Sequence, residues 1–280
     1  TPMQNIITNF GSGITVAGAV LIAQFIGAGE KEDARSMANQ IFICAMGFAV
    51  VCAALCFLGT PAIVNWLGAD GGTAYYARVY LRVVIWDMPF LYMVNIFSAV
   101  HQAQGDTVRP MLLNLGGITL NLFLDPFFMI ILDMGTAGAA LATLLAKAVP
   151  ATVAFILLCR PENDICLNRR YMQLQREKLG MILKVGLPTA IGGSTMQLGF
   201  LLMSKNVFVY GTEAMAAYGI GNKVNGLITL PSNAIGSATA TIVGQNMGAK
   251  QPERAEQGYR FSMWISVVFL FIGGMILSRD

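Results

Sequence analysis

Asn121 and Asp125 stand four residues apart in a largely apolar stretch. On a helix that spacing puts both on one face, where an amide oxygen and a carboxylate converge on one point. Pro126 follows directly; it lacks a backbone donor, so the carbonyl of Leu122 loses its usual partner. A carboxylate, an amide oxygen and a freed carbonyl are hard oxygen ligands, suited to Na+ or, through the carboxylate, to a proton. The alternative for these residues is a satisfied hydrogen bond between helices. A charge at mid-bilayer costs about 2.5–3.5 kcal/mol even on lenient insertion scales, so Asp125 needs a partner or a task. Two more ionisable residues, Asp87 and Lys147, interrupt apolar segments. Asp87 has three readings: protonated, paired with Lys147 or Arg82, or facing a cavity. Lys205 and Lys223 read as snorkelling or pairing with polar neighbours.

Other chemistry has little to work with. His101 is the sole histidine, and Cys44, Cys52, Cys56, Cys159 and Cys166 form no CxxC, so the thiols read as small core residues and no metal site is expected. No HExxH, no GxSx with a histidine partner and no paired GxGD-type aspartates occur. Gly105-Asp-Thr-Val-Arg-Pro110 is a helix start rather than a phosphate cradle, with Asp106 or Thr107 capping and Pro110 in the first turn. An intramembrane protease or acyltransferase is therefore disfavoured, and no cofactor is expected beyond a coupling Na+ or H+. Tyr92, Met93, Phe97, Met196, Phe200 and Met203 are candidates for an adaptable apolar cavity, with ordinary packing as the alternative for each.

The elements that must hold these residues follow from composition. Of the 280 residues, 55% are hydrophobic and 12% charged, against roughly a quarter charged in soluble domains. Mean hydropathy is +0.62. Such a chain cannot cover itself with polar groups, so it is an all-α, polytopic membrane protein whose main solvent is lipid. A net charge of +3 is too small to argue for nucleic acid. The chain opens Thr-Pro-Met without a basic n-region, so no signal peptide is expected. Apolar stretches of bilayer length, with single buried charges allowed, place eight spans at 3–27, 38–60, 82–103, 111–132, 138–159, 185–210, 216–247 and 257–278. Alternate loops then fall on opposite sides. One side collects Lys31, Arg35, Arg109, Arg160, Arg169, Arg170, Arg176, Lys178, Lys184, Lys250, Arg254 and Arg260; the other has Arg78, Arg82 and Arg279. This bias makes the 160–184 linker cytoplasmic.

An internal repeat is legible as well. Leu21–Ala34 matches Ile242–Ala255 at an offset of 221, with identities at Gln24/Gln245, Gly27/Gly248, Ala28/Ala249, Glu32/Glu253 and Ala34/Ala255. Both copies end an apolar span and enter a cytoplasmic loop. An even number of spans per copy is the parallel-repeat design of secondary transporters. The offset leaves the first copy without an opening helix and the second without its last three, so a protein complete in both copies is expected to have twelve spans, six per lobe.

These features resemble the multidrug and toxic compound extrusion (MATE) transporters, bacterial type. The resemblance is carried by Ile22-Ala-Gln-Phe-Ile-Gly-Ala-Gly29, Gln104-Gly-Asp-Thr-Val-Arg-Pro-Met111, Asn121-Leu-Phe-Leu-Asp-Pro126, Gly135-Thr-Ala-Gly-Ala-Ala-Leu-Ala-Thr143, Val185-Gly-Leu-Pro-Thr-Ala-Ile191, Ala216-Ala-Tyr-Gly-Ile-Gly-Asn-Lys223 and Val243-Gly-Gln-Asn-Met-Gly-Ala249. It implies an N-terminal lobe at 1–159 (helices two to six of the family fold), a linker at 160–184 and the first three helices of a C-terminal lobe at 185–280. It also implies that Thr143 joins Asn121 and Asp125 in binding the coupling ion. Departures from the family pattern fall at Asp87, Gln102 and Lys147. The implied function is Na+- or H+-coupled export of small amphipathic, often cationic compounds across the bacterial plasma membrane by alternating access, acting as a monomer at full length. A flippase for lipid-linked sugars is the alternative; it requires a strongly cationic cavity, and only a few buried lysines are present.

The charge bias makes the topology testable. Single cysteines introduced at Glu177 and Lys250 are expected to react with an impermeant maleimide only from the cytoplasmic face, and one at Gly72 only from outside. Labelling of positions 72 and 250 from the same face would end the even-span argument.

Overall fold

The computed structural model describes residues 2–66, 85–161, 163–168 and 171–277; Gly72, Arg78, Arg82, Arg169, Arg170 and Arg279 of the topology argument lie outside them. Eight helices and no strand occur among the described residues. They are α1 (Pro2–Gly27), α2 (Lys31–Trp66), α3 (Asp87–Ala103), α4 (Val108–Pro126) continued by a π-helix (Phe127–Ile131), α5 (Gly135–Cys159), α6 (Arg176–Phe208), α7 (Thr212–Gly248) and α8 (Pro252–Leu277). Four stretches combine the length and apolarity of a membrane crossing: Lys31–Thr60, Val108–Ile131, Ala137–Cys159 and Pro252–Met275. The chain is a multi-pass membrane protein. Its helices begin where local chemistry allows. At α4, the Asp106 carboxylate accepts from the backbone N–H groups of Val108 and Arg109 at 3.0 and 3.3 Å, so Asp106 rather than Thr107 satisfies the open donors.

The chain divides into two compact units. One comprises Thr1–Ala34, Gln102–Gly105 and Met181–Asp280; the other comprises Arg35–His101 and Asp106–Gly180. These packing units cut across the 1–159 and 185–280 lobes expected from the repeat, because α1 packs with α6 and α7.

In the first unit the close approaches run through glycine. A Cβ built on Gly27 would lie 1.9 Å from the carbonyl oxygen of Gln245, and one on Gly248 would lie 1.9 Å from that of Gln24. No side chain fits either position, so α1 and α7 cross with backbones in contact. The contact is reciprocal: each Gln-x-x-Gly edge meets the other's glutamine. Gly13 makes a similar approach to Gly186 and Ala190 on α6.

In the second unit α4 and α5 form a hairpin with small residues at its seam. A Cβ on Gly117 would meet Pro150 Cγ at 3.0 Å and the carbonyl oxygen of Ala146 at 3.1 Å. One on Gly138 would meet the Phe128 carbonyl of the π-helix at 2.7 Å. Asp133 and Gly135, both at positive φ, turn the chain between them. The core of this unit includes Met37, Ile41, Tyr92, Ile96, Phe97 and Leu158, each under 2% exposed.

The segment after α5 is fastened to the start of α2. Fully buried Asn39 donates to the Cys166 carbonyl at 3.4 Å and accepts from the Asn168 N–H at 3.1 Å. Fully buried Gln40 donates to the Gln173 carbonyl at 2.5 Å and accepts from the Gln175 N–H at 3.1 Å. Two adjacent amides thus do for the linker backbone what a neighbouring strand does in a sheet, pairing groups that burial would otherwise orphan.

Two outcomes test this packing. Gly117→Val is expected to destabilise the protein by about 1–3 kcal/mol, the usual cost of overfilling a tight seam. Gly116→Val, whose Cβ meets nothing within 4 Å, is expected to leave the melting temperature in detergent near wild type. Replacing Asn39 and Gln40 together by alanine should expose 160–175 to limited proteolysis while helix content by circular dichroism is unchanged; equal cleavage rates in wild type and variant would show that the amides do not hold it.

Candidate functional site

The α4–α5 hairpin determines which polar groups meet. The two helices run antiparallel with Gly117 against Ala146 and Pro150, so one turn further along α4 corresponds to one turn back along α5. Asn121 and Thr143 are the residues reached by those steps. Both line a cleft of about 260 Å3 in the second unit, together with Asn114 and Lys147 and an apolar wall that includes Leu91, Val94, Ile118 and Pro150. Asn114 was not among the sequence candidates. Its signal was present, since it lies seven residues before Asn121 and hence on the same helix face.

Asp125 stands one turn beyond the cleft, and Asn121 links it there by donating from Nδ2 to Asp125 Oδ1 at 3.4 Å. Thr143 donates to the Ala139 carbonyl at 2.9 Å, which leaves the oxygen's lone pairs for another partner. Just past Asp125, Pro126 opens the backbone. The Phe127 N–H reaches the Leu124 carbonyl, the Leu132 N–H bonds the Phe127 carbonyl at 3.1 Å, and the turns between widen into the π-helix. The break in backbone bonding expected at Pro126 takes this form, and such bulges are a place where a helix can change shape at low cost. Carboxylate, amide oxygen and hydroxyl are the hard donors a monovalent cation takes, and among the described residues no cluster of three His, Cys, Asp or Glu side chains exists to hold a transition metal.

Of the three readings of Asp87, the structure takes the ion pair. Lys147 Nζ lies 2.5 Å from Asp87 Oδ2. The Asp87 side chain is 1% exposed and that of Lys147 32%, so the ammonium stands at the cleft wall with its acid behind it. Asp87 is the first residue of α3, where the helix's open N–H end favours a carboxylate. Asp87 and Lys147 therefore belong to the same neighbourhood as Asn121 and Thr143.

The apolar cavity candidates divide by exposure, and half take the packing alternative. Tyr92 and Phe97 are fully buried and Met93 is 5% exposed, so they form core of the second unit and do not line an open cavity. The reason is their register: with Met88, Ile96 and Val100 they make the three-and-four-spaced inner stripe of α3. Met196, Phe200 and Met203 on α6 are exposed. His101 is structural. Its Nδ1–H donates to the Phe97 carbonyl at 2.9 Å, and its ring lies 4.0 Å from that of Phe97. The five cysteines are free.

Comparison with known proteins places this geometry. The chain is similar to the "Probable multidrug resistance protein NorM" of Thermotoga maritima, 31% identical over 271 residues that cover 94% of this chain and 57% of that protein. It superposes on a solved structure described as the outward-facing conformation of a multidrug resistance MATE family transporter of the MOP superfamily, with a TM-score of 0.89, 26% identity and coverage of 96% of this chain and 60% of that one. A structure described as the inward-facing conformation of such a transporter gives a TM-score of 0.73 at 26% identity, over 96% of this chain and 62% of that one. The chain spans about three fifths of the length of the curated relatives it matches. The MatE family model matches residues 1–127 and 188–278, which include Asn121, Asp125 and the α1–α7 crossing, and the chain belongs to this family of membrane transporters.

Proposed function

We propose that the protein is a secondary active exporter of small amphipathic, often cationic compounds, driven by a gradient of Na+ or H+ across the bacterial plasma membrane. The observation that carries this reading is the alignment of Asn121 and Asp125 along α4, with Asn121 facing Thr143 across the hairpin and the π-helix immediately beyond. Asp125, Asn121 and Thr143 bind the coupling ion. A carboxylate in lipid must take a proton or find a cation, and the deformable turn after Pro126 lets that choice favour one of two helix shapes. Gradient energy then becomes a change between outward- and inward-open states, as the two conformations of related transporters suggest.

The reciprocal α1–α7 crossing supports the parallel repeat. Gly27 meets Gln245 as Gly248 meets Gln24, so the 221-residue offset exchanges the two contacts, as it would about an axis along the membrane normal. On this reading the lobes are 1–159 and 185–280, the 160–184 linker is cytoplasmic, and the full-length protein works as a monomer with twelve spans.

The test is dye efflux from proteoliposomes holding the protein at its full natural length, under a sodium gradient and a pH gradient separately. Asp125→Asn keeps the shape and a hydrogen-bonding group but not the titratable charge. It is expected to abolish gradient-driven efflux with expression near wild type, and Asn121→Ala to weaken ion dependence without removing it. Wild-type efflux by Asp125→Asn with unchanged ion dependence would make the site structural.

A further inference from the structure

The Asp87–Lys147 pair has a property that a purely structural ion pair lacks. Asp87 Oδ2 is held by Lys147, while Oδ1 is buried with no hydrogen-bond partner. A carboxylate so placed has two ways to be neutral: keep the ammonium, or bind a proton on the free oxygen. Once it binds the proton, the ammonium loses its counter-charge. It cannot stay unpaired against an apolar wall, and its nearest alternatives are in the cleft it already lines. Thr143 lies one turn before Lys147 on α5, and long helical side chains lean back over the preceding turn. The cleft therefore offers the freed ammonium the oxygens of Thr143 and Asn121.

We propose that Asp87 is a proton-binding site and Lys147 its tethered cation, so that protonation of Asp87 delivers the Lys147 ammonium onto the oxygens that otherwise bind Na+. This rests on the assignment of Asn121, Asp125 and Thr143 made above. The exchange balances in charge: one proton arrives on Asp87 Oδ1, Lys147 remains an ammonium throughout, and one Na+ leaves. Sodium and protons then compete for one lobe without sharing a ligand. Other charges do not intrude. Among the described residues, α2 carries none after Arg35, α4 brings only uncharged Asn114 and Asn121 to the cleft, with Asp125 a turn beyond, and His101 is about 20 Å along α3 from Asp87.

The test is equilibrium binding of 22Na+ to the purified full-length protein in detergent between pH 5.5 and 8. Wild type is expected to lose sodium affinity on acidification, approaching tenfold per pH unit, about the limit for one-for-one competition. Lys147→Gln should keep sodium binding and flatten that dependence to less than about twofold over the range. Asp87→Asn leaves Lys147 permanently unpaired, so its affinity should be low at every pH, and the double variant should recover the flat, tight binding of Lys147→Gln. A wild-type pH dependence in Lys147→Gln, or wild-type affinity at pH 8 in Asp87→Asn, overturns the inference while leaving the coupling site standing. Absence of sodium binding from wild type at pH 8 likewise overturns the inference, whereas sodium binding that survives in Asp125→Asn overturns the coupling-site assignment itself.

Discussion

A carboxylate that has left water for hydrocarbon must be neutralised, and the described part of this protein meets that constraint twice within one compact unit, at Asp87 on α3 and at Asp125 on α4. Asp87 is answered by Lys147 from across the unit. Among the described residues Asp125 is answered by an amide N–H, at a long 3.4 Å. The geometry around them follows from these two needs. Lys147 has to stand on α5 within reach of α3, and α4 has to present Asn121 and Asp125 on the face that meets α5. Remove the charges and the hairpin could be any apolar pair of helices.

Backbone contact supplies the precision that side chains in lipid cannot. Lipid tails are as apolar as leucine, so two membrane helices gain little by merely hiding apolar surface from them. Gly117 and Gly138 instead let α4, the π-helix and α5 touch closely enough to fix the register of Asn121 against Thr143. Where the same chain leaves the membrane, Asn39 and Gln40 use the opposite device. There, buried amides hold an irregular backbone that has no helix to satisfy it.

The helices were largely legible because hydropathy and charge placement mark the lipid-crossing part of each. Their ends were less so: α2 starts at Lys31 and α6 at Arg176, well before the apolar spans begin, since a helix running on into water tolerates charge that a hydropathy pattern treats as a stop. Asn121, Asp125 and Pro126 were readable because their relation is local, four and five residues apart. Asp87 and Lys147 were recognised as anomalies, but their pairing spans 60 residues and needed the fold. The same holds for Asn39 and Gln40, whose linker partners lie 127 or more residues away. Tyr92 and Phe97 were open between two readings for another reason: an aromatic stripe at helical spacing looks the same whether it faces a cavity or a core, and only the neighbours decide.

The reciprocal crossing of α1 and α7 carries a consequence for ancestry. A Gln-x-x-Gly edge whose glycine receives the glutamine backbone of an identical edge is self-complementary, the requirement for a two-fold homodimer. If both copies derive from one, a single-copy ancestor bearing that edge already possessed the interface. Within the present chain the two glycines are not independent. Enlarging one forces the helices apart at both contacts, so drift in either copy is restrained by the other. An Ala at Gly27 cannot be rescued by a change at Gly248, because the obstacle is backbone, which no substitution makes smaller.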